Sequence, residues 1–225
     1  MSHKLYSLLS QHLSPRKLEL FEQVANLRTR HFTLVLENIY QAQNASALLR
    51  SAESFGVQDI HIIENQHAFQ NHHRIAKGAQ DWLSLHRYNT TEDNTKACLH
   101  HLKAKGYQIA VTALHNDSID IHNLDITQKT AVVLGTELTG ATATALSLAD
   151  VCVKIPMAGF TESMNVAGAA AVITESIMRR LRSSSLAWQL SDEEKLQLKI
   201  LWARKTITWS DYLVQMFESG EINPQ

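Results

Sequence analysis

Asn44 and Arg50 in "NASALLR" and Glu137 in "VVLGTELTG" are side chains that could act on a ligand. Asn44 and Arg50 stand six residues apart, about 120° out of alignment on an ideal helix. Asn44 has the side chain of a helix N-cap. If it is only a cap, Arg50 lies in an apolar helix beside Leu48, Leu49 and Ala52. A buried guanidinium wants a carboxylate or a phosphate, and Glu137, at the end of another strand, offers the carboxylate. Local physics leaves two readings open: a cap with an internal ion pair, or an active site. A second stretch, "IPMAGFTESMNVAGAAAV", poses its own question. Polar Glu162-Ser163-Met164-Asn165 interrupts an apolar run, and a chain with eight glycines and three prolines places Pro156, Gly159 and Gly168 here.

Other chemistries lack their residues. Gly135 and Gly140 have the spacing of a phosphate-binding loop, but Ala141-Thr142 follows where Lys-Ser/Thr is required. No GxGxxG is present. Twelve histidines suggest a metal, yet His72-His73 and His100-His101 are adjacent pairs, and adjacent side chains share neither a helix face nor a strand face. There is no HExxH, so no metal is expected.

Composition sets wider bounds. The chain has 225 residues, 44% hydrophobic and 19% charged, which reads as globular. Two cysteines without a CxxC, and no secretory signal, lead to the expectation of a reducing, cytoplasmic setting. "VAGAAAVI" is too short to cross a bilayer. The net charge of −1 argues against a nucleic-acid binder, but its distribution does not. Residues 1–31 carry five basic and two acidic side chains. Residues 32–173 carry nine and thirteen, and the remaining tail seven of each. Basic ends around an acidic body could hold a polyanion, or could be no more than solvated helix faces.

The elements that must position these residues follow from hydrophobic period. Residues 2–27 read as helical, with a break and restart at Ser14-Pro15. Strands are expected at "FTLVLENI", "DIHIIE", "YQIAVTAL", "TAVVLG" and "VCVKIPM". Helices are expected at "NASALLRSAESFGV", closed by Gly56, at "DNTKACLHHLKAKG", "TGATATALSLAD" and "NVAGAAAVITESIMRRLRSS", and at two C-terminal stretches. Residues 66–90 are ambiguous. The alternation over residues 32–182 means an α/β fold, a mostly parallel sheet with helices on both faces. Ligands of such sheets bind beyond the carboxyl ends of the strands, here after Leu36, Leu114, Leu134 and Met157.

"NASALLRSAESFGV", "VVLGTELTG" and "IPMAGFTESMNVAGAAAV", in this order and spacing, resemble the three motifs of the SpoU (TrmH) family of RNA 2′-O-ribose methyltransferases, within the SPOUT superfamily. The resemblance covers residues 32–180. "TLVLENIYQAQN" and the tail "LSDEEKLQLKILWARKTITWSDYLVQMF" also resemble the branch that methylates the D-loop guanosine of tRNA. The resemblance implies a C-terminal deep trefoil knot and three parts: a basic helical extension over 1–31, a methyltransferase domain over 32–182 and a helical extension over 183–225. It places the third motif in the knot, with Gly168 and Ala169–Ala171 packing closely where backbones cross and Pro156 and Gly159 setting the turn.

The implied cofactor is S-adenosylmethionine, held by Thr112, Gly135, Ile155 and Met164; the family usually has leucine at the last position. Arg50 is the implied catalytic residue, as proton acceptor or as phosphate clamp, and its permanent charge weighs toward the clamp. Asn44 would orient the arginine or the ribose, and Glu137 would anchor Arg50 or the Asn44 amide. Ser163 and Asn165 would bond the hydroxyl or the loop backbone. Arg16, Lys17, Arg28, Arg30, Arg204 and Lys205 would contact RNA phosphate. A homodimer through the knot helices is also implied. Ribosomal RNA as substrate, a knot protein that binds RNA without catalysis, and a nucleotide-binding domain without methyl chemistry stand as alternatives.

Overall fold

A strand buried along its whole length fixes the layout. In β1 (Phe32–Glu37) every residue of "FTLVLE" is buried, Thr33 and Glu37 included. Such a strand needs a neighbour on each side and a helical layer on each face. The computed structural model, which describes residues 2–71, 73–114 and 117–222, supplies both.

The chain divides into two units, one of residues 29–188 and one formed by residues 1–28 with 189–225. The terminal extensions, read separately from the sequence, fall within a single helical unit.

In the larger unit β1 leads into α3 (Ala42–Phe55), numbered after two helices of the smaller unit, α1 (Ser2–Ser10) and α2 (Pro15–Ala25). Gly56, at φ 91°, closes α3 in the left-handed region that glycine tolerates. Then follow β2 (Asp59–Ile63), α4 (His73–Ala76), α5 (Ala79–Trp82), β3 (Ser84–Tyr88), α6 (Asn94–Ala104), β4 (Gln108–Thr112), β5 (Ile119–Asp120), a 3₁₀ turn at Ile121–Asn123, β6 (Thr130–Leu134), α7 (Ala143–Ser147), β7 (Val151–Lys154) and α8 (Val166–Arg182). Among the described residues the strands form one sheet in the order β3-β2-β1-β6-β4-β7-β5, with every recorded pairing parallel. Leu34 sits opposite Ile60 on one side and Val132 on the other.

Alternation divides the core. Leu34 and Leu36 pack with Leu48, Leu49, Ile173 and Ile177 of α3 and α8. Val35, Val111 and Val133 face Cys98, Leu99 and Leu102 of α6. The ambiguous stretch holds α4, α5 and β3, a half-exposed strand paired, among the described residues, only with β2.

The smaller unit contains α1, α2, α9 (Asp192–Thr206) and α10 (Ser210–Glu218). Ser14 caps α2 through its side chain, with Pro15 at the first turn, and Ser191 with Glu194 forms a capping box on α9. Trp202 of α9 is 1% exposed and meets Phe21 edge-on, its centroid 5.6 Å away. Among the described residues no helix is long and apolar enough to cross a membrane.

Candidate active site

The three motifs converge at the carboxyl ends of the strands. α3 brings Asn44, the loop after β6 brings Glu137, and the loop after β7 brings Asn165. Asn165 caps α8, its Oδ1 accepting from Ala167 and Gly168 N–H at 2.9 and 3.3 Å. That leaves the Asn165 amide nitrogen to donate to Asn44 Oδ1 and Glu137 Oε1, both at 3.0 Å. Asn44 Nδ2 donates to the same Glu137 oxygen at 2.5 Å and to Gln41 Oε1 at 2.8 Å. Each amide is thereby used at both ends, as burial requires of Asn44; Asn165 is exposed.

Asn44 is not the helix cap. Gln41 occupies that position without a side-chain cap bond, and Asn44 stands in the first turn of α3. The ion pair between Arg50 and Glu137 is also absent. Arg50 is exposed while Leu48, Leu49 and Ala52 face the core, so the helix turns its guanidinium outward and Glu137 bonds the two asparagines. Among the described residues Arg50 makes no hydrogen bond or ion pair.

Beside this cluster lies a cavity of about 440 Å³, within the usual range for a small-molecule site. Thr112, Gly135, Ile155 and Met164 all line it, as do Glu137 and Ser163. The loop after β6 makes its wall by folding back on itself. Thr136 and Gly140 exchange backbone hydrogen bonds at 3.1 and 2.9 Å. A Cβ on Gly135 would fall 2.2 Å from the Gly140 carbonyl and 2.3 Å from Ala141 N, so no side chain fits there. Gly168 differs from expectation. A Cβ on it would meet only the Met164 methyl, at 3.4 Å, and no backbone crosses close to it.

The sequence reading missed Glu37. It is 1% exposed and receives Thr142 N–H at 2.9 Å, the Thr142 hydroxyl at 2.7 Å and the Thr95 hydroxyl at 2.6 Å. It thus fastens the end of the Gly135–Ala141 loop to β1. A lone carboxylate closing an apolar strand was the available signal.

The six cations named for phosphate contact stand in different surroundings. Arg28 is 1% exposed with its guanidinium 5.7 Å over Trp202, so it builds the core of the smaller unit. Arg30 directs its Nε to Asp59 at 3.1 Å. Arg16, Arg204 and Lys205 are exposed, Lys17 is partly so, and Arg204 pairs with Asp211 at 2.9 Å. Among the histidines, His61 is buried against His86 and lies 3.1 Å from the Tyr88 hydroxyl. Burial, with His86 adding to it, pushes His61 down to about 3, so it is neutral at physiological pH. Among the described residues no three His, Cys, Asp or Glu side chains form a metal-holding group. His72 lies outside them.

A parallel sheet whose strand ends carry this cluster and cavity defines the class. Residues 31–175 match the SpoU rRNA methylase family, and the chain belongs to that family. In particular, it is 38% identical over 216 residues to a tRNA (guanosine(18)-2′-O)-methyltransferase of Borreliella burgdorferi, an alignment covering 96% of this chain and 97% of the relative. Of solved structures, the A. aeolicus TrmH/SpoU tRNA modifying enzyme superposes with a TM-score of 0.75 at 26% identity, covering 85% of this chain and 97% of that one. The fold is shared also with the SpoU methyltransferase AviRb of Streptomyces viridochromogenes, solved in complex with AdoMet. There the TM-score is 0.61 at 23% identity, over 72% of this chain and 65% of that one.

Proposed function

We propose that this chain methylates the ribose 2′-hydroxyl of the D-loop guanosine of tRNA, guanosine 18, using S-adenosylmethionine. The observation that carries the reading is the meeting of Asn44 and Asn165 with Glu137, three separated motifs joined at a residue that lines the cavity. The name of the Borreliella burgdorferi relative supports the substrate, and the AdoMet-bound neighbour supports the cofactor.

The cavity suits that cofactor. Its wall at Gly135 is bare backbone, open to a close approach, and Thr112, Ile155 and Met164 would surround the remainder. When bound, the cofactor supplies an electrophilic methyl group. The protein must align a weak nucleophile with it and remove a proton. Glu137 takes both amide bonds on Oε1, and its Oε2 makes no hydrogen bond among the described residues. That oxygen is the proton acceptor the site offers. Asn44 and Asn165 hold the carboxylate in place, and Ser163 at the cavity wall positions the ribose. Arg50 stands roughly 9 Å further along α3 than Asn44. Always protonated, it acts as a clamp on a substrate phosphate. Arg16, Lys17, Arg204 and Lys205 add phosphate contacts that position RNA without reading sequence.

Three further features belong to this reading: a trefoil knot formed by the third motif, a homodimer through the knot helices, and a cytoplasmic setting. The sheet order is compatible with the knot: β7 lies between β4 and β5, two strands consecutive in sequence.

The test is methyl incorporation from labelled S-adenosylmethionine into an unmodified tRNA transcript, beside one carrying 2′-deoxyguanosine at position 18 and a ribosomal RNA fragment. Labelling of the first alone is the expected result. Labelling of the ribosomal fragment alone would remove the tRNA assignment.

A further inference from the structure

We infer that Tyr40, backed by His67, is the platform on which the nucleobase of the target nucleotide stacks. This rests on the RNA-methylation reading above and adds a subsite to it.

Three observations place the platform. Glu137 lines two hollows, the large cavity and a small one shared with Asn38, Ile39, Tyr40, Gln41 and Thr136. The reacting ribose must lie at Glu137, between the methyl donor and Tyr40, so its base reaches the tyrosine side. Tyr40 is 41% exposed, an aromatic face left open at a site whose substrate is a nucleotide. Finally, the ring is held in place. His67 packs against it with centroids 4.9 Å apart, and the loops carrying the two rings are fastened together by Asn38. Asn38 is 3% exposed and adopts φ 56°, a conformation uncommon for a non-glycine residue. Its Oδ1 accepts from Asn65 and Gln66 N–H at 2.9 and 3.1 Å. Strain of this kind persists where the surroundings over-determine it, often at ligand clamps.

RNA recognition commonly stacks an unstacked base on such a ring, and a ring already packed against a neighbour loses less freedom on binding. Phe160 is the rival. It is fully exposed on the loop after β7 but makes no ring contact among the described residues, so it lacks that preorganisation.

The experiment uses the full chain and a tRNA transcript with 2-aminopurine at position 18. Stacking on Tyr40 quenches its fluorescence when the unaltered protein binds. In Tyr40→Ala the quench is lost and KM for tRNA rises about tenfold or more, the size expected from removing one base–aromatic stack. The dissociation constant for S-adenosylmethionine stays the same. Tyr40→Phe, which keeps the ring, restores the quench, and Tyr40→Leu does not. An unchanged quench and KM in Tyr40→Ala overturns the inference, as does loss of the quench in Phe160→Ala instead. So does a change in sedimentation of Tyr40→Ala, which would place the ring between two copies of the chain. If the unaltered protein methylates no tRNA, the functional reading fails first and the inference with it.

Discussion

Glu137 receives two amide hydrogens on one oxygen, and that asymmetry decides how its substitutions should behave. Glu137→Gln keeps the volume but offers no proton acceptor. Its turnover should fall by roughly 10²-fold or more, the usual contribution of a positioned base. Asn165→Ala leaves the carboxylate in place but removes both an anchoring amide and the α8 cap, worth about 1 kcal/mol. The two are separable by single-turnover kinetics and thermal melting. Glu137→Gln should lose rate at normal stability, and Asn165→Ala should lose both. A normal rate in Glu137→Gln would leave another group as the base. At this scale the sequence was informative where a residue sat in a recognisable motif. It misled where orientation mattered. Arg50 lies among leucines in the sequence, yet α3 turns it outward, and Arg28, one charge among several, proves to be a core residue against Trp202.

At the scale of elements, the loop after β6 is where backbone geometry leaves least room. Adding one methyl at Gly135 sets it against the Gly140 carbonyl, and neither partner is a flexible side chain. Gly135→Ala should therefore displace the cavity wall, at a cost of about 1–3 kcal/mol. We expect cofactor affinity by calorimetry to fall at least tenfold. The same substitution at Gly140, where φ is 68° and nothing lies near, should cost about 1 kcal/mol and spare the affinity more. Unchanged binding in Gly135→Ala would show that the loop yields. Buried strands such as β1 and β6 were legible because both faces are covered and every position is apolar or nearly so. β3 was not, since an edge strand with "SLHRY" obeys no clean period, and β5 is too short, at two residues, to show any period. The first turn of α3 was misplaced because an asparagine reads as a cap whether or not it is one.

For the whole molecule, net charge near zero conceals where the cations stand. Arg16, Arg204 and Lys205 belong to the smaller unit and are exposed, and the Arg204–Asp211 pair, open to solvent, is worth under about 1 kcal/mol and yields readily to phosphate. RNA affinity should then fall steeply with salt. Replacing all three by alanine should reduce the slope of log K against log[salt] by about 2–3, while leaving cofactor binding intact. Filter binding between 50 and 200 mM salt measures it, and an unaltered slope would move the RNA path elsewhere. No charge count foretold that the two chain ends form one unit, because their association depends on Trp202 packing with Phe21 and Arg28, which lie 181 and 174 positions away in the sequence.

The placement of β7 also sets when the sheet can be completed during synthesis. Among the described residues β5 pairs only with β7, through Ile119 with Val153 and Asp120 with Lys154. On the ribosome β5 emerges some thirty residues earlier and has no strand to join. β4 meanwhile has β6 on one flank and an empty flank on the other. The sheet closes only when the segment ending in α8 has been translated and has entered the slot between them. A nascent chain stalled before Val151 holds an open edge beside the unfinished cofactor pocket, and such edges invite aggregation. The last motif to be synthesised is therefore the one that completes both the fold and the site.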